Sequence, residues 1–164
     1  MLHHVSVGVA DVARAAQFYD PVLRALGYKR VLEFMPYGIG YGDKRPQFWV
    51  QLPHDQHAAT LGNGVHIAFN AASEAVVRAF HSAALGAGGV DDGAPGPRPD
   101  YGPEYFGAFV RDLDGNKVEA VLVRMPAAAA TKKKARKKAG AKKKARVAKK
   151  RGGKARGKKA RKRR

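Results

Sequence analysis

The chain opens MLHHVSVGVAD, and its two adjacent histidines are the first residues that could do chemistry. An imidazole moves protons near neutral pH and ligates divalent metals. In an extended segment successive side chains point to opposite faces, so one of the pair at most faces a given pocket. His4 shares its face with the small residues Ser6 and Gly8, whereas His3 shares its face with Val5, Val7 and Val9. Small neighbours leave a concavity above a sheet, so His4 is the candidate and His3 is structural. The pattern recurs at His66, with Ala68 and Asn70 on its face and Ile67, Phe69 and Ala71 on the other. A third group, Glu119, sits within the apolar run of DGNKVEAVLV, where a charge is costly unless paired or metal-bound. Two imidazoles and one carboxylate suit a divalent ion. The plainer alternatives stand beside this reading: a strand histidine satisfied at a sheet edge, and a Glu119 on a solvated face that it shares with Lys117.

The elements that must position these residues repeat. Shifting the chain by 62 residues aligns HVSVGVAD, from His4, with HIAFNAAS, from His66, and carries Phe18 onto Phe80, Leu23 onto Leu85 and Gly27 onto Gly89 without a gap. Each copy reads as an alternating strand, an N-cap at Asp11 or Ser73, and an amphipathic helix closed near Gly27 or Gly89. Asp20-Pro21 is expected to kink or restart the first helix. Strands follow at Tyr28 to Phe34, Gly38 to Gly42 and Gln47 to Leu52. In the second copy they fall near Val90, at Tyr105 to Asp112 and at Lys117 to Val123, the last two joined by an Asp114-Gly115 hairpin. The stretch DDGAPGPRPDYGP between them reads as a long loop without regular structure. The expected fold is α+β: two βαβββ modules, about 2–52 and 64–124, within a domain spanning 1–125.

Beyond that domain, residues 126–131 read as a linker and 132–164 as a disordered tail. Of the 32 Lys and Arg, 21 lie in residues 132–164 with no acid among them; the preceding residues hold 11 against 13 Asp and Glu, a formal charge of −2. The tail contains almost no large apolar side chain and cannot offset backbone entropy by burial. Its dense charge, beginning with Lys132, Lys133, Lys134, Arg136, Lys137, Lys138, Lys142, Lys143 and Lys144, suits nucleic acid bound through counterion release without base reading, with acidic membrane surfaces, RNA and polyphosphate as competing polyanions. The chain has no cysteine, so disulfides and thiolate metal sites are excluded. No apolar run approaches a membrane span, and the expected location is cytoplasmic, with nucleoid association through the tail.

Taken together, HHVSVGVAD, FYDPVLRALGY, GVHIAFNA and YFGAFVRDLDGNKVEAV resemble the vicinal oxygen chelate superfamily, which includes glyoxalases, bleomycin resistance proteins and extradiol dioxygenases. The resemblance implies that the paired βαβββ modules form a curled mixed sheet around a metal cavity, with His4, His66 and Glu119 as ligands of Fe, Mn, Ni, Zn or Co. The fourth strand, QFWVQL, departs from members with a fourth ligand there, since Gln47, Trp49 and Gln51 are neither carboxylate nor imidazole. The implied substrate is a small molecule with neighbouring oxygens. Tyr105 and Tyr101 are candidate proton or hydrogen-bond donors, and Trp49, Gln51 and Arg98 candidate substrate contacts. Phe34 and Tyr41 could join Trp49 in an apolar wall, whereas His54, His57 and His81 fit no ligand pattern and read as surface. The tail resembles linker-histone tails. Three functions follow: a metal-dependent glyoxalase- or dioxygenase-like enzyme with a nucleic-acid-binding tail, a metal-free small-molecule binding protein, or a nucleic-acid-associated protein whose domain is a dimerising platform. A homodimer is expected.

Overall fold

The structure, a computed structural model, describes residues 2–124. The linker and tail lie outside the described residues. The first module runs β1 (Val5–Gly8), α1 (Val12–Ala25), β2 (Lys29–Phe34), β3 (Gly38–Gly42) and β4 (Phe48–Gln51). The second runs β5 (His66–Asn70), α2 (Glu74–Gly86), β6 (Val90–Pro97), a single 3-10 turn at Pro99–Tyr101, β7 (Tyr105–Arg111) and β8 (Lys117–Val123). The repeat read from the sequence is thus a repeat in space. Each module makes a four-stranded mixed sheet, ordered β1-β4-β3-β2 and β5-β8-β7-β6, with its first strand parallel to its last.

Local chemistry sets the helix ends. Asp11 is extended and its carboxylate accepts the Arg14 N–H at 2.7 Å, and Ser73 does the same for Val76 at 3.3 Å. These caps satisfy amides left free in the first turn. Beyond the helices the chain turns through positive φ at Gly27 (84°) and Gly88 (88°), a conformation that costs glycine little. The valine face of β1 lies against the helix layer, as the alternation requires, and joins a single core with Phe18, Tyr19, Val22 and Leu23 of α1 and Val77, Phe80 and Ala84 of α2. Phe48 meets Phe69 edge-on at 5.1 Å across the two modules.

A polar clasp also joins the modules. Buried Asp112, at the end of β7, accepts the Tyr19 hydroxyl at 2.6 Å, the Asn116 side-chain amide at 2.9 Å, and the backbone N–H groups of Asp114 and Asn116. Asn116 also donates to the Gly8 carbonyl at 3.1 Å, while Asp114 accepts the Ala10 N–H and pairs with Arg14. The DLDGN hairpin of the second module therefore fastens the β1–α1 corner of the first. Burial, and then Asp112, push the Tyr19 hydroxyl well above its ordinary pKa, so it remains a donor.

Three expectations are corrected. α1 continues through Pro21 rather than restarting there. The segment expected to be an irregular loop is mostly strand: β6 extends to Pro97, with register shifts at Asp91/Gly93 and Gly93/Gly96. Pro95 and Pro97 are tolerated because β6 is an edge strand, where a missing donor breaks no second ladder. His81 is buried rather than at the surface, its Nε2 2.8 Å from Asp91 Oδ1, tying α2 to β6. That contact holds the Asp91 carboxyl below its ordinary pKa. Among the described residues, no helix is long and apolar enough to cross a membrane.

Candidate functional site

Each sheet covers the core with one face and turns the other away from the helices. On the second sheet this outer face carries Glu119 from the middle of β8, in register with Ala68 on β5 and Phe109 on β7. Parity puts Val118 and Ala120 in the core and leaves Glu119 among the outward residues, yet its side chain is fully buried. The Tyr105 hydroxyl donates to Oε1 at 2.5 Å, and His66 Nε2 stands 3.3 Å from Oε2. Burial, and then the bond to Glu119, raise the Tyr105 hydroxyl far above its ordinary pKa, so it stays protonated. The His66 approach lies within ion-pair distance but makes no aligned hydrogen bond, so Oε2 is buried and unsatisfied. A buried carboxylate oxygen without a hydrogen bond costs roughly 1–3 kcal/mol, more when charged, and a binding partner would offset that cost.

Gly107 makes room for this arrangement. A Cβ there would lie 2.9 Å from Glu119 Oε1 and 3.2 Å from the Tyr105 ring. Sequence reasoning passed over this residue, although a glycine inside the β-pattern YFGAFV signals close approach of another group. Phe109 supports the other side: His66 meets its ring edge-on at 6.2 Å, with Lys117 4.7 Å and Arg98 5.5 Å from its centroid. A cavity of about 440 Å³ opens here, lined by His66, Tyr101, Phe109, Arg111 and Lys117 among others. Arg111 and Lys117 share Asp92, at 3.4 and 2.9 Å, and the Lys117 bond holds Asp92 below its ordinary pKa.

The expected ligands divide. His66 and Glu119 meet. β1 begins at Val5, one residue after His4, so strand alternation does not govern the histidine pair. The His3 and His4 rings instead meet edge-on, their Nδ1 atoms 2.8 Å apart, and both line one cleft of about 500 Å³ with His66. His4 thus shares a cleft with His66 without entering a coordinating group. Among the described residues, no set of three His, Cys, Asp or Glu side chains could hold a metal ion. Of the three expected ligands, the structure brings His66 and Glu119 within 3.3 Å of each other.

The remaining candidates also separate. Tyr105 reaches Glu119, whereas exposed Tyr101 packs edge-on against Tyr105 at 5.2 Å. Arg98 spends its guanidinium on the carbonyls of Ala94 and Pro97. Trp49 and Gln51 lie on the first sheet, in a cavity of about 950 Å³ with Phe34. Tyr41, expected in the same wall, is buried in the core and donates to Asp20 at 2.9 Å. The lysines and arginine from Lys132 to Lys144 fall outside the described residues.

Residues 1–120 match the family model described as the glyoxalase/bleomycin resistance protein/dioxygenase superfamily. Among solved structures, a glyoxalase/bleomycin resistance protein from Albidiferax ferrireducens T118 is 34% identical, with a TM-score of 0.67, over 74% of this chain and 97% of that one. A glyoxalase-related enzyme from Fulvimarina pelagi shares the fold at 22% identity and TM-score 0.59, covering 74% of this chain and 86% of its own. A lactoylglutathione lyase from Agrobacterium tumefaciens does so at 18% identity and TM-score 0.53, covering 74% and 92%. No curated protein matches the chain. The repeated modules, their paired four-stranded sheets and the match over residues 1–120 make this chain a member of the glyoxalase/bleomycin resistance protein/dioxygenase superfamily.

Proposed function

We propose that this chain is a glyoxalase- or dioxygenase-like enzyme acting on a small molecule with neighbouring oxygens, with His66 and Glu119 as its proton-transfer pair. The observation that carries the reading is the fully buried Glu119 carboxylate, bonded by Tyr105 on one oxygen and facing half-exposed His66 with the other. Such an arrangement sets the imidazole beside the carboxylate at 3.3 Å and leaves the ring edge accessible to a ligand. Contacts that are loose in a free site tighten when the ligand expels water. Tyr105 acts by holding Glu119, since its hydroxyl is already committed to Oε1. Incubating the full chain with catechols and with thiol adducts of 2-oxoaldehydes, while following absorbance and oxygen uptake, tests the reading. Turnover that falls by about 10²-fold or more in Glu119→Gln and His66→Ala supports it; turnover retained in both ends it.

Metal dependence is a second reading, favoured by the unsatisfied Oε2 facing His66 Nε2 at 3.3 Å. In this reading the further donors come from His4, which lines one cleft with His66, or from a second copy in a homodimer. Metal analysis of the wild type, His66→Ala and Glu119→Ala separates the cases: loss in both variants supports a metal at this pair, and equal content in all three removes it. The tail is assigned to nucleic acid because its 21 basic residues carry no compensating acid. DNA retardation should weaken steeply with salt and disappear when the chain is cut after Thr131. Salt-insensitive binding would count against it.

A further inference from the structure

We infer that Asn63, in the loop joining the two modules, is a site of spontaneous covalent modification, converted to aspartate or isoaspartate by the neighbouring backbone. Of the asparagines Asn63, Asn70 and Asn116, Asn63 alone precedes a glycine. Asn63 and Gly64 are the central pair of a turn closed by the Val65 N–H on the Gly62 carbonyl at 3.0 Å. Gly64 has a φ of 84°, as the third position of a type II turn requires. In the reaction the Gly64 amide nitrogen attacks the side-chain carbonyl carbon of Asn63. The new C–N bond closes an imide, and the side-chain nitrogen leaves as ammonia, taking through solvent the proton that the amide gives up. Water then opens the imide: cleavage of the bond to the side-chain carbonyl gives aspartate, and cleavage of the bond to the backbone carbonyl gives isoaspartate. Water is the sole co-reactant.

The surroundings of the turn supply what this chemistry needs. Asn63, Gly64 and their neighbours are exposed, so water reaches the reacting groups. The turn lies between β4 and β5, outside both ladders, and no strand pairing breaks as the amide swings toward the side chain. A side chain on the attacking residue would crowd the closing ring; Gly64 has none, and a Cβ there would meet no atom within 4 Å. The other two asparagines are held in place. Asn70 stands in β5 in register with Val121, and Asn116 donates to the Gly8 carbonyl at 3.1 Å and to Asp112 at 2.9 Å. Position gives the change a consequence. Asn63 and Gly64 line the cavity of about 440 Å³ together with His66, Arg111 and Lys117. The product carboxylate brings negative charge into a cavity whose two cations already share Asp92, and those cations favour its ionised form. Isoaspartate also lengthens the backbone by a methylene shortly before His66. No step uses Glu119, so this inference stands apart from the proposed reaction.

The test holds the full, folded chain at neutral pH in water enriched in heavy oxygen. Released ammonia is measured, digests are sequenced by mass spectrometry, and an isoaspartyl methyltransferase reports the isomer. The expected result is ammonia release matched by uptake of heavy oxygen at residue 63, with part of the product methylated and with Asn70 and Asn116 still amides. Asn63→Gln keeps an amide but moves its carbonyl a methylene away from the Gly64 nitrogen; it should lose the release while its circular dichroism spectrum stays that of the wild type. Gly64→Ala, which crowds the ring, should slow conversion severalfold. Absence of heavy oxygen at residue 63 in the folded chain overturns the inference. So does release from Asn63→Gln at the wild-type rate, or conversion of Asn70 or Asn116 as fast as that of Asn63, which would deny the turn any part in selecting the site.

Discussion

The two modules share one topology and present opposite chemistry on their outer faces. At the first module the face is aromatic, Phe34 and Trp49 lying beside Gly40, and among the described residues no Asp, Glu, Lys or Arg lines its cavity. At the second, a buried carboxylate is held by a tyrosine and faced by a histidine, with Arg111 and Lys117 sharing Asp92 nearby. The repeat preserves what the core demands and releases what the core does not touch. Inward positions must fill a common interior at close packing, whereas outward positions answer to water or a ligand. His4 and His66 occupy equivalent places in the repeat, yet only His66 meets a carboxylate, because β8 carries Glu119 where β4 carries glutamine and tryptophan.

The largest expected effect breaks the comparison at its charged end. Glu119→Gln should lower kcat/KM by about 10²- to 10⁴-fold while its circular dichroism spectrum stays that of the wild type. Retained turnover would leave the charged face without the role proposed for it. Next comes the clasp on which both modules depend. Asp112→Ala strands Tyr19 and Asn116 and should cost about 2–4 kcal/mol, read as a lowered urea midpoint with an unchanged slope. An unaltered midpoint would show that packing alone joins the modules.

A paired substitution sharpens the contrast. Gly107→Ala intrudes on Glu119 and Tyr105, and Gly40→Ala on Trp49 and Pro46. The first should reduce turnover about tenfold, because misplacement of a reacting group costs rate steeply, and the second should shift Trp49 emission and leave turnover near the wild-type value. Equal loss of turnover in both variants would erase the distinction.

The smallest effect belongs to Asp20, which accepts from Arg30 at 2.8 and 2.7 Å and from Tyr41 at 2.9 Å in the first module. Burial alone would raise its pKa, but the bonds from Arg30 and Tyr41 outweigh burial and lower it from 3.8. A carboxyl with a lowered folded pKa adds stability that is fully present above its unfolded value and lost as pH falls through the folded one. Asp20→Asn should therefore cost about 1 kcal/mol near neutral pH, since the pair is partly screened by solvent, and the difference from wild type should shrink below about pH 4. A difference that persists in acid would point to packing instead.

The modules, both helices with their caps and the Asp114-Gly115 hairpin were legible because each is written in neighbouring residues: strand alternation, helical spacing, a capping oxygen, a turn dipeptide. β6 was harder to read because its prolines and glycines forbid a central strand but not an edge one, and edge position is a property of the sheet. His81 looked like surface because its partner Asp91 lies beyond the helix, on the next strand. The His3–His4 contact is not legible locally, because strand alternation holds only from Val5 onward, where β1 begins. Glu119 was marked by its cost, a charge in an apolar run, but nothing local named Tyr105 and Gly107 as the residues that accommodate it.

The sequence by itself determined the repeat, the core faces and the separation of a nearly neutral domain from a strongly basic tail, because periodicity and charge density act over a few residues at a time. Only the tertiary structure decided which polar groups meet. Glu119 lies 14 residues from Tyr105 and 53 from His66 along the chain, and it is the register of β8 between β7 and β5 that brings all three together. Pairing across strands depends on where separate segments dock, and docking is governed by the core they bury in common.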